Sequence, residues 1–248
     1  MKKNKLRFGD IIAESYYPKE GNNGKFIVFC PGLPGRSNYE DIAKIYVERG
    51  CVFIHVKYQG SWESYGRFTM PSCRKTIISF VEGLMKGEIK DIFGSSFDMV
   101  PKELFLLGHS FGGSIVLSAG ADLKLDGIIA LSPVIDYRKQ AKDPIIEEED
   151  LTELFDFIKF GFENIYRGID KSEWENFCKT GENLNPSDYT DKLKTKRILL
   201  VHGIKDDSVS YIKTKNFSKL LEKNGADVLF VETDDDHGSI KERPIKEV

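Results

Sequence analysis

Six short apolar runs, almost uninterrupted by polar residues, constrain this chain more than any other feature. They are Phe26–Cys30, Cys51–Val56, Leu104–Leu107, Ile128–Leu131, Ile198–Val201 and Val228–Val231. A strand that faces water on one side alternates apolar and polar residues. A strand that is apolar throughout must be covered on both faces, as in a parallel sheet. The spaces between the runs suit helices. Asn38 to Arg49 carries Ile42, Ala43, Tyr46 and Val47 at helical spacing and stops at Gly50; Ser72 to Met85 and Tyr211 to Lys223 read the same way, the latter ending before Gly225. Alternating strands and helices with right-handed crossovers give an α/β fold with a doubly wound, mostly parallel sheet. Leu6 to Tyr17 adds one or two antiparallel edge strands.

The rhythm fails between Ser132 and Arg197, where no run reads as a strand. Tyr137 to Leu193 is acidic, helical and rich in aromatics. Asp143-Pro144 reads as a helix start, with Glu147, Glu148 and Glu149 near the positive end of its dipole. Leu151, Leu154, Phe155, Ile158 and Phe162 then follow at helical spacing. The expected organisation is a core of residues 1–136 and 194–248, with 137–193 inserted as a helical cap or lid. Open α/β sheets bind ligands at the carboxyl edge of their strands, and the cap is expected over that edge. A helical excursion that never meets a substrate is the alternative.

Composition removes several classes of function. Hydrophobic residues make up 40% and charged residues 30% of the 248, an ordinary balance for a globular domain. A formal net charge of -3 offers nucleic acid no general attraction. No apolar run approaches the roughly 18 residues of a membrane span. Lys2, Lys3, Lys5 and Arg7 are followed by no apolar h-region, so a secretory signal is not expected. The four cysteines are scattered without a CxxC pair, and Cys30 and Cys51 read as small buried hydrophobes. Together these suggest a cytoplasmic protein. No GxxxxGK[ST] loop occurs, and His202 and Asp206, though four apart, leave a strand rather than share a helical face. Neither cofactor nor metal is expected. The expected partner is a small molecule, and a homodimer is compatible with the sequence.

Gly108-His109-Ser110-Phe111-Gly112 has the form G-x-S-x-G, between the run Leu104–Leu107 and the small-residue stretch Gly113 to Gly120. That is the strand–turn–helix setting in which the motif carries a nucleophile. The glycines permit a sharp turn and a close helix, and hold the Ser110 hydroxyl at a helix N-terminus, where developing negative charge is favoured.

A serine hydroxyl needs a base, and the chain has four histidines. His109 adjoins Ser110 in the tight turn, so its ring points elsewhere. His55 lies mid-strand and reads as a satisfied core residue. His202 ends a strand and braces a loop. His237, in a polar loop beyond the last strand, is left as the base. The acid belongs after the penultimate strand, giving the chain order Ser, Asp, His. Asp206 stands there, with Asp207 as its rival. Asp234, Asp235 and Asp236 read as solvated loop carboxylates.

Acyl transfer also needs two N–H groups aimed at the oxyanion. Phe111 supplies one. The loop Pro31-Gly32-Leu33-Pro34-Gly35 supplies the other, and its prolines have no N–H. Leu33 is the expected donor, with Gly35 behind it. Trp62, Tyr65 and Phe68, with aromatics of the cap, are the expected acyl pocket.

On Gly108 to Gly113, His202-Gly203-Ile204-Lys205-Asp206 and His237-Gly238, the chain resembles the α/β-hydrolase superfamily over nearly its whole length. His202 to Val209 looks like the acid loop of esterases and of the prolyl oligopeptidase family. That resemblance implies Asp206, four residues after the histidine, as the acid. Tyr58 to Gly66 looks like a loop of prolyl-oligopeptidase-like and acyl-esterase-like members. Many relatives have His-Gly at the oxyanion loop where this chain has Pro31-Gly32, a change that keeps the backbone donor. No propeller is visible, so an oligopeptidase size filter is not expected. The resemblance implies Ser-His-Asp hydrolysis of an ester, thioester or amide. A carboxylesterase stands first, then a peptidase of short peptides, then a thioesterase. A non-catalytic binding module on the same fold is the alternative of a different class.

Overall fold

Each of the six apolar runs forms a strand in the computed structural model, which describes residues 1–142, 148–243 and 245, Phe162 by its backbone only. The chain opens with β1 (Lys2–Phe8) and β2 (Ile11–Tyr17), then β3 (Lys25–Cys30), α1 (Glu40–Val47), β4 (Val52–Val56) and α2 (Met70–Met85). A two-residue strand β5 (Lys90–Asp91) precedes β6 (Glu103–His109), α3 (Phe111–Gly120) and β7 (Gly127–Leu131). Next come α4 (Leu151–Asn164), α5 (Lys171–Thr180) and α6 (Thr190–Leu193), then β8 (Arg197–Gly203), α7 (Tyr211–Lys223) and β9 (Asp227–Thr233).

The strands form one sheet in the order β5-β1-β2-β4-β3-β6-β7-β8-β9. From β4 to β9 every pairing is parallel, and β2, β1 and β5 continue the sheet antiparallel. The expected N-terminal edge is therefore present as two strands; β5 is too short to have left a pattern.

Alternate residues of the central strands enter two separate cores. Val28, Ile54, Leu106, Ala130 and Leu200 pack under α2, α3 and α7. Ile27, Phe53, Phe105, Ile129 and Leu199 pack on the other face, under α1. Each fully buried Leu, Ile, Val or Phe contributes about 1.5–3 kcal/mol, which is why both faces of these strands are apolar. His55 falls on the α1 face, edge-on to Tyr39 at 4.7 Å. It is not the satisfied core histidine expected: neither ring nitrogen has a hydrogen-bond partner among the described residues.

Between β7 and β8 lie α4, α5, α6 and two 3-10 turns, Tyr137–Lys139 and Pro186–Tyr189. Among the described residues, the first α-helix of this segment begins at Leu151. Asp150 caps α4, its Oδ1 accepting the Thr152 N–H at 2.8 Å. Glu148 and Glu149 precede that cap. The Glu148 carboxylate is buried, accepts the Ser210 N–H at 3.0 Å and pairs with Lys213. It joins this segment to the start of α7 instead of serving a helix dipole. Asp143, Pro144 and Glu147 lie outside the described residues.

Candidate active site

The loops that follow β3, β6, β8 and β9 all leave the sheet at its carboxyl edge, and they carry the expected site. Ser110 is a one-residue hinge between β6 and α3, at φ 55° and ψ -121°. A non-glycine residue in such a conformation costs about 1–3 kcal/mol and persists only when its surroundings hold it. Here the Ser110 N–H donates to Leu131 O at 2.8 Å, and the Ser110 carbonyl accepts the Gly113 N–H at 2.9 Å. The glycines make room. A Cβ on Gly108 would sit 2.1 Å from Gly112 O, and one on Gly112 would sit 2.0 Å from Cys30 O. No other residue lets α3 start this close to β6 and β3.

Asp206 and His237 meet although they come from different loops. His237 Nδ1–H donates to Asp206 Oδ2 at 2.8 Å. That bond fixes the tautomer and leaves Nε2 as the acceptor. The other oxygen, Oδ1, takes the N–H groups of Ser208 at 3.1 Å and Val209 at 2.9 Å. His202 approaches from beneath: Nε2–H is shared between Val209 O at 2.9 Å and Asp206 Oδ2 at 3.2 Å, and Thr214 Oγ1–H donates to Nδ1 at 2.8 Å. Burial alone would raise the Asp206 carboxyl, whose side chain is fully buried; hydrogen bonds from His202 and His237 outweigh it and hold the group well below the usual carboxylate range. Asp207 takes no part. Asp234 and Asp235 pair instead with Lys205 and Arg243, while Asp236 caps the turn at Gly238 and Ser239.

His109 does turn away from Ser110, and its destination was not legible in the sequence. Its Nε2–H donates to the His237 backbone carbonyl at 2.7 Å, with the two rings 4.8 Å apart. Burial pushes the His109 ring down to about 3, so it stays neutral and clamps the loop that carries His237. Ser110 and His237 line the same cleft, with no direct hydrogen bond between their side chains. Such contacts commonly tighten only when substrate binds.

The loop expected to hold an oxyanion donor has few N–H groups. Gly35 N–H donates to the Tyr166 hydroxyl at 2.7 Å. The reserve donor is thereby committed. The N–H groups of Leu33 and Phe111 carry no intramolecular hydrogen bond among the described residues. Gly32 lies against Ser110, where a Cβ would meet the Ser110 Cβ at 3.3 Å.

Ser110, Leu33, Phe111 and His237 share a cleft of about 300 Å³. Val134, Tyr137, Leu151, Leu154, Trp174 and Phe177 form its apolar wall. Trp62, Tyr65 and Phe68 do not reach it. Gly60, at φ 76°, turns the chain back on itself, so the loop pairs with the segment after α4. Trp62 N–H donates to Ile165 O at 3.1 Å. Tyr65 is 57% exposed beneath Arg7, and Phe68 is wholly buried against Tyr166. The loop is a dock for the segment between β7 and β8, and most of the wall comes from that segment. The local sequence shows aromatics in both places but not which of them face the cleft.

A model of the prolyl oligopeptidase family matches residues 38–248. No curated protein matches the chain. Among solved structures, the esterase Est1E from Butyrivibrio proteoclasticus, holding ferulic acid, superposes with TM-score 0.64 at 22% identity, over 94% of this chain and 90% of that one. Esterase Pf2001 from Pyrococcus furiosus gives 0.64 at 14% identity, over 97% and 85%. The acylaminoacyl peptidase of Pyrococcus horikoshii gives 0.64 at 18% identity, over 98% of this chain but 38% of its own length. At these identities the likeness is one of fold, and the fold is that of the α/β-hydrolases.

Proposed function

Because this chain belongs to the prolyl oligopeptidase family of serine hydrolases, we propose that it is a carboxylesterase working through Ser110, His237 and Asp206. The observation that carries this reading is the 2.8 Å bond from His237 Nδ1 to a buried Asp206, in a cleft that Ser110 also lines. A pure binding module has no use for a buried carboxylate held ionised behind a histidine.

In the proposed reaction Ser110 Oγ attacks the substrate carbonyl carbon while His237 Nε2 takes its proton. Carbonyl electrons move onto oxygen, and the Leu33 and Phe111 N–H groups stabilise the oxyanion. The intermediate collapses, the carbon–oxygen bond to the leaving alcohol breaks, and His237 gives that alcohol its proton. Water, deprotonated by His237, then releases the acid and restores Ser110. Asp206 stays ionised throughout and stabilises the imidazolium. The acyl group lies against Val134, Tyr137, Leu151, Leu154, Trp174 and Phe177, a lining that supports reading 137–193 as the cap of this cleft. Ferulic acid in Est1E is an arylalkenyl acid, and an acyl group of that shape suits these aromatic walls.

The family match and the acylaminoacyl peptidase likeness favour a second reading, hydrolysis of short peptides. A fluorophosphonate probe tests the common chemistry. Wild type is expected to gain one adduct by intact mass, and Ser110→Ala none. A folded wild type that stays unlabelled would sink both readings. Matched ester and amide substrates then separate the two, with turnover of the ester expected to be greater.

A further inference from the structure

The loop expected to supply an oxyanion donor is pinned at both ends by buried phenols. Tyr58 Oη–H donates to Pro31 O at 2.8 Å, and Gly35 N–H donates to Tyr166 Oη at 2.7 Å. Both tyrosines are 2% exposed. Between the two pins stands Leu33, whose N–H has no intramolecular acceptor among the described residues. Tyr58 belongs to the sheet's own loops. Tyr166 lies 131 residues from Gly35, in the inserted segment.

That part of the insertion is sewn down. Besides the bond from Trp62 N–H to Ile165 O, Arg167 N–H donates to Gly60 O at 2.9 Å and Phe68 N–H to Arg167 O at 2.7 Å. The Arg167 guanidinium donates to Trp62 O at 2.9 Å and also reaches Ser64 O. The Tyr166 ring packs on Phe68 at 4.9 Å. Burial raises the phenol, so its hydroxyl stays un-ionised at working pH. The polar partner of Gly35 is thus held by backbone bonds on both sides and by a ring contact beneath.

We propose that Tyr166 is a positioning residue: its hydroxyl fixes the Leu33–Gly35 turn so that the Leu33 N–H is already aimed when the oxyanion forms. The segment that follows α4 is then a fixed strut of the active site. Any movement of the cap is confined to α4 and the helices beyond, and leaves 165–168 in place. Preorganisation is the physical point. A donor that must be oriented during the reaction loses much of its value, and losing an oxyanion donor outright costs about 10²–10³ in kcat. Loosening one end of the turn forfeits part of that.

The inference rests on the serine hydrolase mechanism proposed above. Its test is Tyr166→Phe, which keeps the ring and removes only the hydroxyl. The expected result is a kcat lower by about 5–20-fold, a fraction of the loss of a whole donor, with KM within about twofold. The Ki of a trifluoromethyl ketone, which forms a tetrahedral adduct on the serine, should rise by the same factor as kcat/KM falls. Tyr58→Phe, releasing the other pin, should give the same signature. A Tyr166→Phe enzyme with wild-type kcat and wild-type ketone affinity would overturn the strut while leaving the mechanism intact. So would a loss that appears only in KM or only in melting temperature. A wild type that fails to label at Ser110 would overturn the mechanism first.

Discussion

Asp206 divides its work between two oxygens. Oδ1 ties down its own loop through Ser208 and Val209, and Oδ2 meets His237 with His202 close beneath it. A carboxylate can only accept, so its second oxygen forces the proton of His237 onto Nδ1. Asparagine would keep the loop bonds but offers no such compulsion, because its amide is as able to donate as to accept. Asp206→Asn is therefore expected to lower kcat on a p-nitrophenyl ester by about 10³–10⁴-fold with KM little changed. Steady-state rates with the two proteins matched by circular dichroism check this. A loss under tenfold would mean that His237 keeps its tautomer by other means. Of the residues gathered at this cleft, the sequence marks Ser110, Asp206 and His237 as candidates by motif, by position and by elimination. It does not mark His109 as the clamp on His237, because a contact spanning 128 residues leaves no local pattern.

At the scale of elements, the hinge between β6 and α3 depends on what is missing. Gly108 and Gly112 face backbone at distances no Cβ can occupy, and in both cases the obstacle is a carbonyl that cannot rotate away. Gly112→Ala would have to push α3 off β3, moving Ser110 and the Phe111 N–H with it. The expected cost is about 3 kcal/mol or more, seen as a melting temperature lower by about 6–12 °C at this chain length, together with loss of probe labelling at Ser110. Labelling at the wild-type rate would mean the hinge tolerates the displacement. The segment between β7 and β8 follows a different logic. The spacing of Leu151, Leu154, Phe155 and Ile158 marks α4, while the capping box of Asp170 and Glu173 that starts α5 went unread in the sequence. Where those helices dock is decided by pairing with residues 60–68, which no periodicity encodes.

Across the whole molecule, burying the strands on both faces leaves polar side chains in a dry interior. Burial pushes both His55 and His109 down to about 3 from an ordinary 6.5. Lys57 close to His55, and the charge of His237 beside His109, press the same way, while Glu63 opposes the first and the bond to the His237 carbonyl, with Asp206, opposes the second. Between pH 6.5 and 3 the unfolded chain therefore binds protons that the native state refuses. Stability from these two rings is complete above about pH 6.5 and is lost as pH falls, by about 1.4 kcal/mol per pH unit for each ring once well below that value. Asp206, whose folded value is depressed, adds stability that is present above the ordinary carboxylate value and lost as pH falls below it. Urea denaturation from pH 7.5 to 5 should show a declining unfolding free energy. In His55→Leu, which is close in volume and removes two unpartnered nitrogens, about half of that histidine-dependent decline should disappear. An unchanged slope would show that His55 is protonated in the folded protein.

Those patterns that depend only on neighbours in the chain were determined by the sequence itself. Apolar runs specify strands covered on both faces, small residues around Ser110 specify a sharp strand-to-helix turn, and the order Ser, Asp, His follows the order of the strands. Each of these is a statement about local backbone and burial, which residue type and period encode directly. The tertiary structure alone decided who meets whom. It turned Trp62, Tyr65 and Phe68 away from the cleft, supplied most of the wall from the segment between β7 and β8, set His202 beneath Asp206 and His109 behind His237, and joined Gly35 to Tyr166. The physical reason is that an apolar side chain gains nearly the same free energy against any dry surface, so its presence does not name its partner. A hydrogen bond does name its partner, but only once the packing of the whole sheet has brought the two groups within about 3 Å.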